Sequence, residues 1–162
     1  FERVSIGAGG GSLNAARSPE LVALARDRGM DDDPNVRQAL ADLHIHESIR
    51  GFMAQRIRVA VAAGRVPGPE GSLAKLTGSL LARRVRDVAV AVLGPEVQAW
   101  EDGTAGSEPA ERWSTFCISA AGISIAGGTD EVQRNIIGER VLGLPKEPDP
   151  FKGAAWLDVP RS

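Results

Sequence analysis

Asp33 and Pro34 open a periodic apolar run that does not close until just before Gly64. An uninterrupted element of that length is open to a helix and far too long for an ordinary strand. Aspartate at an N-cap with proline at the first helical position is a strong helix start, since the missing proline N–H would have no partner there anyway. Val36, Leu40, Leu43, Phe52 and Val59 are read as the apolar stripe of this run. Such a helix needs other helices to bury its stripe. After the turn-rich VPGPEGS, Leu73, Leu76, Leu80, Val88 and Val92 recur at helical spacing until Gly94 and Pro95 end a second long helix. Gln98 to Ser107 reads as a loop, and Pro109 starts a third helix running to about Ile125. Thr129 then caps a fourth, with Asp130 and Glu131 in its first turn and Gly143 and Pro145 beyond its end. Upstream, Glu2 to Ala16 reads as a small-residue-rich helix, weakened at Gly9, Gly10 and Gly11 by about 1 kcal/mol per glycine. Ser18, Pro19 and Glu20 restart it as an amphipathic helix through Asp27.

Strand signals are few and the joining loops are short, so the expected fold is all-α, an antiparallel four-helix bundle over residues 1–144. Residues 145–162 are too rich in proline and too poor in apolar side chains for a core, and are expected as an extended tail. Phe151 and Trp156 are the residues placed to anchor that tail in a surface groove.

A length of 162 residues with 43% hydrophobic content fits one domain. Lys plus Arg number 19 against 21 Asp plus Glu, a net charge of -2, so no basic surplus points to nucleic acid or to an anionic membrane. No apolar run reaches the roughly 18–20 residues a membrane span requires, and the opening lacks the order of a signal peptide. The single cysteine, Cys117, forms no internal disulfide, which suits a reducing cytoplasm. The opening FERVSIGAGGG reads as a structured segment, and the chain is expected to be a piece of a longer protein.

Several chemically capable residues have a plain structural reading. His44 and His46 stand two apart on a helix and point to different faces, which is wrong for joint metal ligation, so no metal site is expected. Cys117, between Phe116 and Ile118, reads as a core residue rather than a nucleophile. Arg83, Arg84 and Arg86 read as a solvated face.

The stretch IAGGTDEVQRNIIGERVLGLP, Ile125 to Pro145, is the most specific in the chain. It resembles the C-terminal signature of acyl-CoA dehydrogenases, in which a Gly-Thr-x-Glu-x-Gln-Arg run opens a helix beside the flavin. Gly128, Thr129, Glu131, Gln133 and Arg134 match in register. At the other end, Glu2 and Arg3 before an apolar, glycine-containing run resemble the start of that family's long active-site helix. The resemblance implies an FAD-dependent enzyme that oxidises an acyl-CoA to its enoyl-CoA and passes electrons to an acceptor. It also implies association as a homo- or hetero-oligomer, a dimer or a tetramer.

In most of the family the catalytic base is a glutamate directly before that Gly-Thr pair, and here the position holds Gly127. Isovaleryl-type and long-chain members supply the base from the earlier helix, at a glutamate directly before an arginine. The resemblance therefore implies Glu2 as the base, with Arg3 shaping its surroundings, and Gly128, Thr129, Glu131 and Gln133 as flavin contacts. A desolvated carboxylate of raised pKa suits removal of the α proton while hydride leaves the β carbon.

Three usual flavin motifs are missing. ARDRGMDDDPNVRQ stands where an arginine-x-x-phenylalanine-glycine run is usual, EVQAWEDGTAGSE replaces a glutamine with paired glycines, and Ile118 and Ser119 replace an arginine–aspartate pair. Losses of this kind suit a hetero-oligomer with one incomplete subunit. A non-catalytic partner subunit is accordingly the second reading, and a generic helical interaction module the third. On the first reading the isolated piece is expected to be inactive, because the remaining domains furnish most of the flavin and thioester pocket.

Overall fold

A computed structural model of the chain describes residues 17–66, 68–98, 108–148 and 150–159. Over these residues every regular element is helical: α1 (Ser18–Asp27), α2 (Pro34–Ala62), α3 (Glu70–Leu93), α4 (Glu108–Ile123) and α5 (Asp130–Arg140). Short 3₁₀ turns follow α3, at Gly94–Val97, and lie near the C-terminus, at Trp156–Asp158. Glu2, Arg3 and the helix expected over Glu2 to Ala16 lie outside the described residues.

The helix ends follow from local chemistry. Asp33 accepts hydrogen bonds through Oδ1 from the backbone N–H groups of Asn35 and Val36, at 2.8 and 3.0 Å, and so starts α2. Past its other end, Gly64 takes φ +83°, a left-handed conformation that reverses the chain at no steric cost for glycine. The cap of α1 is long-range instead. Glu47, on α2, accepts from the backbone N–H groups of Arg17 and Ser18 at 2.5 and 3.1 Å, and from the Ser18 hydroxyl at 2.5 Å. A carboxylate thus replaces the local cap, and it fixes the start of α1 against the middle of α2. Replacing Glu47 by alanine is expected to cost about 1–2 kcal/mol, read as a lower urea midpoint at unchanged slope.

The neighbouring helices run antiparallel, as their side-chain pairings show. Asp42 of α2 meets Arg84 of α3, while Arg50, further along α2, lies against Gly78, further back on α3. Arg112 of α4 bonds Glu20 of α1, and Phe116 of α4 lies under the Arg17 guanidinium at 5.7 Å. A bidentate pair from Arg28 to Glu96, at 2.5 and 2.8 Å, ties the end of α1 to the 3₁₀ turn after α3. This contact holds the Glu96 carboxyl below the usual carboxylate range. α3 is the central element, packing against α1, α2, α4 and α5.

The core is one cluster: Leu21, Leu24 and Ala25 of α1, then Val36, Leu40 and Leu43 of α2, the Leu81 to Leu93 face of α3, and Trp113 of α4. One expectation fails here. Phe52 and Val59 are 65% and 64% exposed, on the side of α2 facing away from the core. Nine residues at about 100° each place Phe52 half a turn from Leu43. α2 therefore carries two apolar stripes, and the linear sequence runs them together. Ile118 of α4 is likewise exposed, although Phe116 and Cys117 beside it pack against the core.

Beyond α5 the chain has no regular structure over 143–148 and then a turn over 150–153. Phe151 stays 42% exposed, and Leu157 is more exposed still.

Candidate functional site

The loop from Ser124 to Thr129 joins α4 to α5 and carries the signature residues. Gly127 and Gly128 take φ +64° and +95°, two successive left-handed positions that sharply turn the chain into α5. Thr129 then caps the helix, its hydroxyl accepting from the Val132 N–H at 3.3 Å. A Cβ on Gly128 would stand 2.8 Å from Gln133 Nε2, so the glutamine amide would have to shift, and φ +95° itself favours glycine there.

Gln133 explains that crowding. It is 1% exposed and folds back beneath the loop, where Nε2 donates to the Gly127 carbonyl at 3.0 Å. Its Oε1 is buried with no hydrogen-bond partner among the described residues. A buried acceptor of this kind costs about 1–3 kcal/mol unless a donor reaches it. Glu131 lies at the surface, and its carboxyl is held below the usual range first by its own backbone N–H and then by the Thr129 hydroxyl. The four expected contacts thus fall into two sets: Thr129 and Glu131 close the helix terminus from outside, and Gln133 braces Gly127 and Gly128 from within.

Beneath the loop is a polar cluster that the sequence did not reveal. Asp130 is 2% exposed, and one oxygen accepts from Lys75 Nζ at 3.0 Å. The other accepts from Ser79 Oγ at 2.8 Å and Arg83 Nη2 at 2.6 Å. Lys75 also donates to the Ser124 carbonyl at 3.1 Å, which accepts the Asp130 N–H at the same distance. Arg83 Nη1 reaches the Ser124 hydroxyl at 3.3 Å. Burial alone drives the Asp130 carboxyl upward. The hydrogen bonds from Lys75 and Ser79 and the charges of Lys75 and Arg83 outweigh it, and the group ionises below the usual carboxylate range.

The arginine run is thus not the solvated face expected of it. Arg83 bonds Asp130, Arg84 bonds Asp42 across the helix pair at 2.9 Å, and Arg86 pairs with the adjacent Asp87. Lys75, Ser79 and Arg83 sit at four-residue steps along α3, and that polar row was the available signal. Nothing in the sequence named Asp130 as its partner.

Burial pushes the Cys117 thiol up, away from nucleophilic reactivity. Among the described residues no group of three or more His, Cys, Asp or Glu side chains is placed to hold a metal ion. No described helix is long and apolar enough to cross a membrane.

The sequence family described as the acyl-CoA dehydrogenase C-terminal domain matches residues 1–142. Acyl-CoA dehydrogenase IpdE1 of Mycolicibacterium smegmatis is 34% identical over 134 residues, which are 82% of this chain and 31% of that protein. IpdE1 of Mycobacterium tuberculosis is 30% identical over 153 residues, 91% of this chain and 36% of that protein. The chain thus spans about a third of the length of these relatives. Among solved structures, the Tcur3481-Tcur3483 steroid ACAD superposes with a TM-score of 0.73 at 24% identity, over 90% of this chain and 38% of that one, a likeness of fold. The ChsE4-ChsE5 complex from Mycobacterium tuberculosis gives a TM-score of 0.55 at 29% identity, over 72% of this chain and 29% of that one. With the helical fold, the capped signature helix and the family match over most of its length, the chain belongs to the acyl-CoA dehydrogenase family as its C-terminal helical domain.

Proposed function

We propose that, in the full-length protein, this domain forms one wall of the site where an acyl-CoA thioester is dehydrogenated to its enoyl-CoA with FAD as the hydride acceptor. The observation that carries the reading is the signature in register at a capped helix start, with Gly128 in a left-handed conformation that favours glycine and Gln133 hydrogen-bonded behind it. FAD, when bound, accepts the hydride that leaves the β carbon. The residues present fit such a group on one side. The buried Gln133 Oε1 awaits a donor, and the N-terminus of α5 presents a positive dipole end to a polar ligand.

Glu2 is the base in this reading: it takes the α proton on its carboxylate, and Arg3 sets its electrostatic surroundings. Gly127 has no side chain to do so. Thr129 and Glu131 hold the helix terminus in the shape the ligand meets, and Gln133 keeps the Gly127–Gly128 turn from collapsing inward. A separate electron acceptor would be needed to regenerate the bound group, and the protein works as an oligomer in the cytoplasm. Gly127 and the missing flavin motifs favour one second reading, in which this chain completes the site of a different subunit; the ChsE4-ChsE5 neighbour is itself a complex of two named chains.

The test is an anaerobic visible spectrum of the full-length protein, purified with any partner, before and after adding acyl-CoAs of several lengths. Bleaching of bound flavin by one class is the expected result. Flavin that no acyl-CoA reduces counts against the dehydrogenation, and a full-length chain without flavin favours the partner-subunit reading.

A further inference from the structure

The loop between α4 and α5 does not hold its shape by burial of its own side chains. None of those from Ile125 to Thr129 is buried, and Ile125 is 70% exposed. Two consecutive glycines at positive φ add conformational freedom that must be given up before the observed turn can form. The grip comes from α3, and it acts on both ends of the loop at once. Lys75 Nζ donates to the Ser124 carbonyl, where the loop begins, and to Asp130 Oδ1, where it ends. Arg83 repeats the pattern with the Ser124 hydroxyl and Asp130 Oδ2. Ser79 Oγ, one turn from each, meets the same two side chains. The Asp130 N–H, donating to the Ser124 carbonyl at 3.1 Å, closes the neck between them.

Three polar side chains are a poor choice if the only task is to hold α3 against α5. Apolar side chains of similar volume often do as well as a buried ion pair, or better. What apolar contacts lack is a fixed direction and distance at two chosen points, and hydrogen bonds to Ser124 and Asp130 supply both. The loop fixed in this way carries Gly127, Gly128 and Thr129.

We propose that Lys75, Ser79 and Arg83 are positioning residues for flavin binding: acting through Ser124 and Asp130, they hold the Gly127–Thr129 turn in its binding shape before the ligand arrives. None of the three needs to touch the ligand. Apparent affinity falls in proportion to the fraction of molecules in which the site is already formed, so a loosened loop weakens uptake. The identity of the ligand rests on the dehydrogenase reading, whereas the grip on the loop does not.

The experiment uses the full-length protein, purified with any partner and stripped of flavin. FAD is titrated back and followed by absorbance, and amide hydrogen exchange over Ser124–Asp130 is measured before FAD is added. Lys75→Met removes the charge and keeps the length of the side chain, and Ser79→Ala is the milder variant should that one fail to fold. Each is expected to raise the FAD dissociation constant by about tenfold and to quicken exchange across the loop more than in the α3 core. Arg83→Met is expected to do the same, and Arg83→Lys, which keeps the charge and a donor, to recover most of the affinity. Glu47→Ala loosens the α1–α2 contact instead, and is expected to lower the urea midpoint while leaving FAD affinity and loop exchange alone. Titrations that superpose on the parent's, a loss of affinity matched by Glu47→Ala, an Arg83→Lys as weak as Arg83→Met, or unchanged loop exchange would each overturn the proposal and leave the dehydrogenase reading standing. A parent that takes up no FAD would reject both.

Discussion

Glutamine in place of Glu2 is expected to slow turnover of the full-length assembly by about 10²- to 10⁴-fold, the usual contribution of a positioned general base. The substitution keeps the shape of the side chain and removes its ability to take a proton. Flavin content and its visible spectrum are expected to stay unchanged, since flavin binding does not depend on the α-proton step. The limb of the kcat profile that reports ionisation of the base is expected to vanish with it. Stopped-flow reduction of the flavin by acyl-CoA reads the step directly. Unchanged reduction would reject Glu2 as the base and, with Gly127 unable to serve, move the chemistry to another subunit.

The second large effect concerns stability. Alanine at Asp130 is expected to cost about 3–5 kcal/mol, the range for breaking a buried ion pair by removing one partner. Lys75, with a side chain 12% exposed, and the half-buried Arg83 then face each other without the carboxylate that now separates them. Urea unfolding at pH 7 checks the loss. The pH dependence carries a sign. The folded Asp130 carboxyl ionises below its ordinary value of about 3.9. Its contribution is therefore present above the unfolded value and lost as pH falls through the folded one. Asp130→Asn keeps part of the hydrogen bonding without the charge. Its stability is expected to change less than that of the parent between pH 5 and the acid limb, in the same urea assay repeated at decreasing pH.

Much of the helical plan is legible because helix ends are local chemistry. Asp33, Gly64, Gly94 and Thr129 act within a turn of their own position, and the observed boundaries at Pro34, Ala62, Leu93 and Asp130 follow them. The all-helical fold was legible for the same reason. What the sequence hides is which helix face meets which. Phe52 and Val59 have the right periodicity for burial and are exposed, because period alone does not choose between two apolar stripes on one helix. Glu47 capping α1 from α2 could not be read either, since a donor and acceptor 29 residues apart leave no local pattern.

The signature shows both limits at once. Thr129 was legible as a cap from its neighbours, and it caps. Gln133 matched a family pattern, which marked it as important without saying that its amide would be turned inward. Asp130 looked like an ordinary first-turn acid favoured by the helix dipole, yet its carboxylate is buried against three α3 side chains. Family pattern and local chemistry each locate a residue on the chain. Only the packing of α3 against α5 says what it touches.

That packing constrains how the protein can diverge. The acid at 130 and the cations at 75 and 83 are separated by about fifty residues and belong to one electrostatic unit, so no one of them is free to drift alone. A lineage that loses Asp130 must at the same time discharge Lys75 or turn it to solvent, and a lineage that loses both cations strands the carboxylate. Substitutions at these sites are therefore expected to arrive together, tying the history of the signature helix to that of the central one.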